Sequence, residues 1–210
     1  MIWLVLIMLN LGGLEFEAKN SAQAEAMKSM ASNLLLWGPG YSGKTEIGAA
    51  KALGLSAFYP NNRWVLLRKK KVDLRGTLWL RFKEMCPQKL IRSWDENSML
   101  VTLSNGSEVW GCGLDSNEDV LKLASSELGG CVIEEAIETQ EQDYDEKVKR
   151  SIRLARVPFR QTILCCNPGA PSHWIKRRFI DARLEGYADI FMPTLPDAPK
   201  DWMQWFNSLT

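Results

Sequence analysis

The chain has 210 residues, long enough to bury a substantial core in one large domain or two small ones, and too short for two complete catalytic domains without crowding. Its 26 lysines and arginines nearly balance 25 acids, giving a net charge of +1, so any nucleic-acid contact must come from local patches. The 5 cysteines have no C-x-x-C spacing and the single histidine, His173, completes no zinc set with them, which reads as free thiols in a reducing compartment.

The chain opens on "MIWLVLIMLNL", an apolar run that stops at Asn10 and Gly12-Gly13. A membrane-spanning helix needs about twenty apolar residues, and a secretory signal needs a basic start and a small-residue cleavage site. Residues 1–14 are therefore expected to be a buried strand, a buried helix or a chain edge, with targeting or membrane contact as the other reading. Gln23 follows in "EAKNSAQAEAMK"; its amide offers the donor and acceptor that an adenine edge requires, and by position alone it is a surface glutamine on a helix. Asn33 to Trp37 is expected as a buried strand and Lys44 to Leu53 as a helix. Between them Gly38, Pro39, Gly40, Tyr41, Ser42, Gly43, Lys44 and Thr45 fit G-x-x-x-x-G-K-[ST] with the flanks a P-loop needs. Glycines let backbone N–H groups surround phosphate oxygens at a helix start, Lys44 reaches the β- and γ-phosphates of a triphosphate, and the Thr45 hydroxyl serves Mg²⁺. A glycine-rich turn that binds nothing is the bland alternative.

Further on, "RWVLLRKK" (63 to 70) is expected as a second strand, "DLRGTLWLRFKEM" (73 to 85) as an amphipathic helix, and "MLVTLSNGSEVWGC" (99 to 112) as a hairpin about Asn105-Gly106. "CVIEEA" (131 to 136) is a short apolar strand ending in Glu134 and Glu135, the pattern of a Walker B strand, in which the first acid serves Mg²⁺ and the second orients the attacking water. The same pair could instead be solvated acids opening the next helix. "QTILCCNPG" (161 to 169) is another apolar strand, whose tip places Asn167 to sense a γ-phosphate or to make an ordinary Asn-Pro-Gly turn. Strands alternating with helices argue for an α/β fold with a mostly parallel sheet whose ligands gather at the carboxyl strand ends. Three basic runs stand out: Arg68 to Lys71, a helix over 147 to 160 with Lys149, Arg153, Arg156 and Arg160 on one face, and 176 to 178. Such a stripe can follow a phosphate backbone, or be a solvated face balanced by Glu138, Glu141 and Glu146. Beyond Tyr187 three prolines and no clear period suggest a tail or linker.

Four of these pieces, in order, resemble the ATPase domain of tailed-phage large terminases, the motors that package DNA into procapsids. "NSAQAEAM" is similar to the family's adenine-contacting motif, "GPGYSGKT" to its Walker A, "LGGCVIEEA" to its Walker B with catalytic Glu, and "CCNPGAPSHWIKRRF" to its coupling motif. The resemblance implies the additional-strand, catalytic-Glu type of P-loop NTPase over residues 15 to 195, with 196 to 210 a tail or linker. It implies Gln23 on adenine, Lys44 and Thr45 on phosphate and Mg²⁺, Glu134 on Mg²⁺, Glu135 as base and Asn167 as the link from hydrolysis to movement. Its implied partners are double-stranded DNA, the portal and procapsid, the small terminase subunit, and copies of itself in a ring assembled from monomers, in the host cytoplasm with no membrane. The region of clustered acids that would make a nuclease is not in the sequence, so the chain looks like the motor half alone.

There are departures. The family usually has Asp where Glu134 stands, many members carry an Arg inside the Walker A loop, and its trans-acting Arg precedes Walker B, where this chain has Lys122. Candidates for a cation donated by a neighbouring subunit are Lys122 by position, and Arg150 and Arg153 because a planar guanidinium suits phosphate oxygens. Arg68 is the candidate within the same chain. Competing functions are a nucleotide-gated switch or scaffold and a small-molecule kinase. A guanine switch would need an Asn-Lys-x-Asp segment, and none is present.

Overall fold

The computed structural model describes residues 14 and 16–198; the expectations for the first 13 residues and for 199–210 fall outside them. Eight strands form one sheet: β1 (Asn33–Trp37), β2 (Arg63–Arg68), β3 (Ile91–Asp95), β4 (Leu100–Leu103), β5 (Glu108–Gly113), β6 (Gly130–Glu134), β7 (Gln161–Cys166) and β8 (Tyr187–Phe191). Their order is β3-β4-β5-β2-β6-β7-β1-β8. From β5 to β8 every pairing is parallel, while β3 pairs antiparallel with β4, and β4 with β5 around the Asn105-Gly106 turn. The central strands are continuous apolar runs because both faces are covered. Leu34, Leu36, Val132, Ile163 and Cys165 enter one core, whereas the alternating residues Leu35, Cys131, Ile133, Leu164 and Cys166 enter the other. All five cysteines are buried free thiols.

The helices are α1 (Ser21–Lys28), α2 (Lys44–Phe58), α3 (Lys71–Gly76), α4 (Leu78–Met85) and α5 (Asn117–Ala124). α2 is buried on almost every side through Ile47, Gly48, Ala49, Ala50, Ala52 and Leu53, small residues that let it lie close on the sheet. At its centre Lys51 is buried, and its Nζ donates to Ala26 O (2.9 Å), Met27 O (3.3 Å) and Ser29 O (2.8 Å) at the carboxyl end of α1. A cation there meets the carbonyls that gather at a helix carboxyl end, and fastens α1 to α2.

Three expectations change. The amphipathic helix over 73 to 85 is two helices, because Gly76 and Thr77 are poor helix-interior residues and Thr77 leaves the helical region (φ −123°, ψ −102°). The helix over 147 to 160 ends at Ser151, after a turn of mixed pitch from Glu141; Ser151 O then accepts from Leu128 N, and the chain runs on irregularly to Arg160. Lys149, Arg153, Arg156 and Arg160 therefore share no helical face. Lys149 donates to the Tyr187 hydroxyl, Arg153 faces Glu127, Arg156 donates to Asn61 O, and Arg160 turns onto Leu154 and Val157 carbonyls. Finally, regular structure continues past Tyr187: Tyr187–Phe191 is β8, in parallel register with β1.

Lys51→Ala should lower stability by about 1–3 kcal/mol, since it removes three hydrogen bonds and leaves Met27 O without its donor. A urea unfolding midpoint equal to wild type would show that α1 does not depend on this cation.

Candidate functional site

Parallel pairing brings the carboxyl ends of β2, β6, β7, β1 and β8 to one edge of the sheet. β7 lies between β1 and β6, with Trp37 opposite Cys166 and Glu134 opposite Cys165, so the chain after β7 emerges between the P-loop and the glutamate pair. A cavity of about 510 Å³ opens at this edge, and its lining includes Gly40 to Glu46, Glu135 and Asn167.

The loop is held by its glycines. Gly38 (φ +148°) lies against the Met192 carbonyl, and Met192 N donates to Trp37 O at 2.7 Å, so the chain after β8 packs on the loop's start. Gly43 has φ +77°, and a Cβ there would collide with Gln23 Nε2. Tyr41 is also left-handed (φ +54°) and exposed, whereas Ser42 is buried. Lys44 Nζ donates to Gly38 O (2.8 Å), Pro39 O (2.6 Å) and Ser42 Oγ (2.9 Å), and burial pushes its pKa down.

Glu134 is buried and occupied on both oxygens. Thr45 Oγ1 donates to Oε1 at 3.1 Å, while Oε2 receives the Thr77 hydroxyl and Leu78 N at 3.3 Å. The carboxylate therefore caps the amino end of α4, where negative charge is favoured. Arg68, at the end of β2, stands 3.6 Å from the same oxygen and donates to Thr77 Oγ1 at 3.2 Å. Glu135 adopts a left-handed backbone (φ +47°, ψ +48°), rare outside glycine. This turn at the end of β6 puts two adjacent acids on one site: Glu134 on Thr45, Glu135 in the cavity. Burial raises the Glu135 pKa above the ordinary carboxylate range; Arg68 opposes the shift and the neighbouring Glu134 adds to it.

Thr45 and Glu134 present two hard oxygens side by side. That fits Mg²⁺, which takes one or two protein oxygens and leaves its other positions for water and phosphate. Among the described residues no cluster of three or more His, Cys, Asp or Glu could hold a metal on its own.

The remaining sequence candidates divide. Asn167 is exposed and lines the cavity with Lys44 and Glu135. Gln23 is not the surface residue its helical position suggests: it is fully buried, its Oε1 accepts from Lys19 N at 2.8 Å, and its Nε2 has no hydrogen-bond partner. It lies behind the wall formed by Lys19 and Gly43. Lys122, Arg150 and Arg153 are not part of the cavity lining; Lys122 Nζ sits 4.8 Å over the Trp110 ring. Sequence reasoning missed Thr77, whose only signal is the Gly-Thr break within the 73–85 period. It also missed Arg81, and the rim on which Lys19 and Asp197 pair at 3.0 Å across 178 positions of sequence.

Because the folded-state pKa of Glu135 is raised, its ionisation opposes folding: stability falls as pH rises from the unfolded-state value through the folded one. Glu135→Gln should therefore melt at a higher temperature than wild type at pH 7, with the difference shrinking toward pH 4. An equal or lower melting temperature at pH 7 would contradict this electrostatic account.

Comparison with known proteins places this geometry. The model of a family described as phage terminase large subunit matches residues 32–197, from β1 to the segment over the P-loop. No curated protein sequence matches. Among solved structures, the large terminase of a thermophilic bacteriophage superposes with a TM-score of 0.77 at 14% identity, over 90% of this chain and 50% of that one. The same protein in complex with ADP gives 0.73 at 16%, over 90% and 50%, and it has also been solved with ATP-γ-S. The ATPase domain of the Thermus phage P74-26 large terminase gives 0.71 at 14%, over 95% of this chain and 89% of that domain. This chain thus spans about half the length of the first of these proteins and nearly all of the P74-26 domain. No helix among the described residues is long and apolar enough to cross a membrane. The fold is that of the terminase P-loop NTPases, and the chain belongs to the phage terminase large subunit family.

Proposed function

We propose that the chain is an ATP-hydrolysing motor domain that drives double-stranded viral DNA into a procapsid in the host cytoplasm. The observation that carries this reading is the meeting of the P-loop, Glu135 and Asn167 in one cavity, with Glu134 bonded to Thr45 beside it. Family membership supports the role in packaging, and the ADP and ATP-γ-S complexes of the thermophilic-phage terminase support ATP as the occupant.

In this reading the backbone amides from Gly40 to Gly43 and the amino end of α2 hold the phosphates, and Lys44 turns from the loop carbonyls to the β- and γ-phosphates. Gln23, whose Nε2 is unpartnered, serves the adenine once the wall of Lys19 and Gly43 in front of it gives way. Thr45 and Glu134 would hold Mg²⁺, which would neutralise phosphate charge. Glu135 orients the attacking water and accepts its proton; a carboxylate with a raised pKa is a stronger acceptor than an exposed one. Asn167 relays the state of the γ-phosphate to the chain that follows, where Trp174 Nε1 donates to Thr139 O and so ties the coupling segment back to the turn after the glutamates. The domain is a monomer in isolation. With the portal and the small terminase subunit it assembles into a ring, in which Lys122, Arg150 or Arg153 of one copy supplies charge to the nucleotide of the next.

Lys44→Ala should abolish ATP binding, whereas Glu135→Gln should bind ATP normally and turn it over about a hundredfold or more slowly. Equal phosphate release by wild type and Glu135→Gln would refute the base. Release that double-stranded DNA and procapsids leave unchanged would count against a packaging motor, and transfer of phosphate to a small acceptor instead of water would identify a kinase. Asn167→Ala should spare ATP affinity and single-turnover hydrolysis while impairing DNA movement; a parallel loss of both would deny it a coupling role.

A further inference from the structure

The cations that line the cavity are Lys19, Lys44 and Arg81, and the acids are Glu46, Glu135 and Asp197. Lys19 pairs with Asp197 at 3.0 Å on the rim, both side chains open to water. The three cations are the positive charge that the lining offers to a ligand with three or four negative charges, beside a P-loop that carries no arginine of its own. Arg81 sits in the first turn of α4, with its N–H on Thr77 O at 2.9 Å. The start of that helix is the one that holds Glu134 through Thr77 and Leu78 N. Arg81 is thus placed at a fixed offset from the carboxylate that touches Thr45. Its guanidinium donates to Glu84 Oε2 at 2.8 Å, and both side chains are about half exposed, 52% and 50%. An ion pair this open to water is weak, whereas a guanidinium on phosphate makes paired, charge-assisted hydrogen bonds.

We infer that Arg81 is a binding cation of the nucleotide site beside Lys44, exchanging Glu84 for the phosphate chain of the bound nucleotide within the same subunit. The inference rests on the cavity being the nucleotide site. It is independent of any cation donated by a neighbouring copy. The break at Gly76-Thr77 gains a reason: it starts α4 at Glu134 and so sets where Arg81 stands along the cavity.

The test is titration of ADP, ATP-γ-S and adenosine into wild type, Lys44→Ala, Arg81→Ala, Arg81→Lys and Glu84→Gln, with melting temperatures as a folding control. Arg81→Ala should weaken both nucleotides about tenfold, leave adenosine unchanged and melt with wild type, since the side chain is half exposed. Arg81→Lys should recover part of the loss, and Glu84→Gln, which frees the guanidinium, should tighten nucleotide binding. Unchanged nucleotide affinity in Arg81→Ala, with Lys44→Ala impaired, would overturn the role of Arg81 and leave the site standing. Unchanged affinity in Lys44→Ala would instead remove the site on which the inference rests.

Discussion

The Glu134 carboxylate joins the parts of this molecule that matter most to one another. One oxygen receives the P-loop hydroxyl of Thr45, and the other receives Thr77 and the first amide of α4. A buried carboxylate needs partners for both oxygens, so the end of β6, the start of α2 and the start of α4 have to meet at one point. Arg68 adds charge compensation from the end of β2. The glutamate side chain is long enough to meet the start of α4 with its outer oxygen.

The sheet makes that meeting possible. Parallel register sends β1, β2, β6 and β7 out at one edge, and crossing helices return the chain to the other. The order of strands, with β7 between β1 and β6, then determines that Asn167 rises between the phosphate loop and the two acids. The left-handed turn at Glu135 completes the arrangement, since a continuing strand would have sent two adjacent side chains to opposite faces.

Much of this was legible in the residues themselves. Apolar runs bounded by glycine and polar residues marked β1, β6 and β7, the Asn-Gly dipeptide marked the hairpin, and the P-loop spacing marked its own strand-to-helix turn. What escaped depends on contacts between distant residues. β8 is an edge strand with mixed burial, "YADIF", whose pairing with β1 is not written in its own period. The 73–85 helix breaks at Gly76-Thr77, and the group that caps its second part, Glu134 on Leu78 N, lies 56 positions later. The basic stripe over 147 to 160 has helical spacing, yet the chain leaves the helix at Ser151 to pair with Leu128, and tertiary structure overrides the period. The helix position of Gln23 alone suggests a surface residue, yet it is buried, with Nε2 against Gly43.

The most direct measurement is a crystal structure of the chain with Mg²⁺ and ATP-γ-S. The account predicts the triphosphate in the cavity between the P-loop and Glu135, with Lys44 Nζ moved from the Gly38 and Pro39 carbonyls onto phosphate and Thr45 and Glu134 directed at the metal. A nucleotide bound elsewhere, or Lys44 still on those carbonyls beside a bound triphosphate, would contradict it.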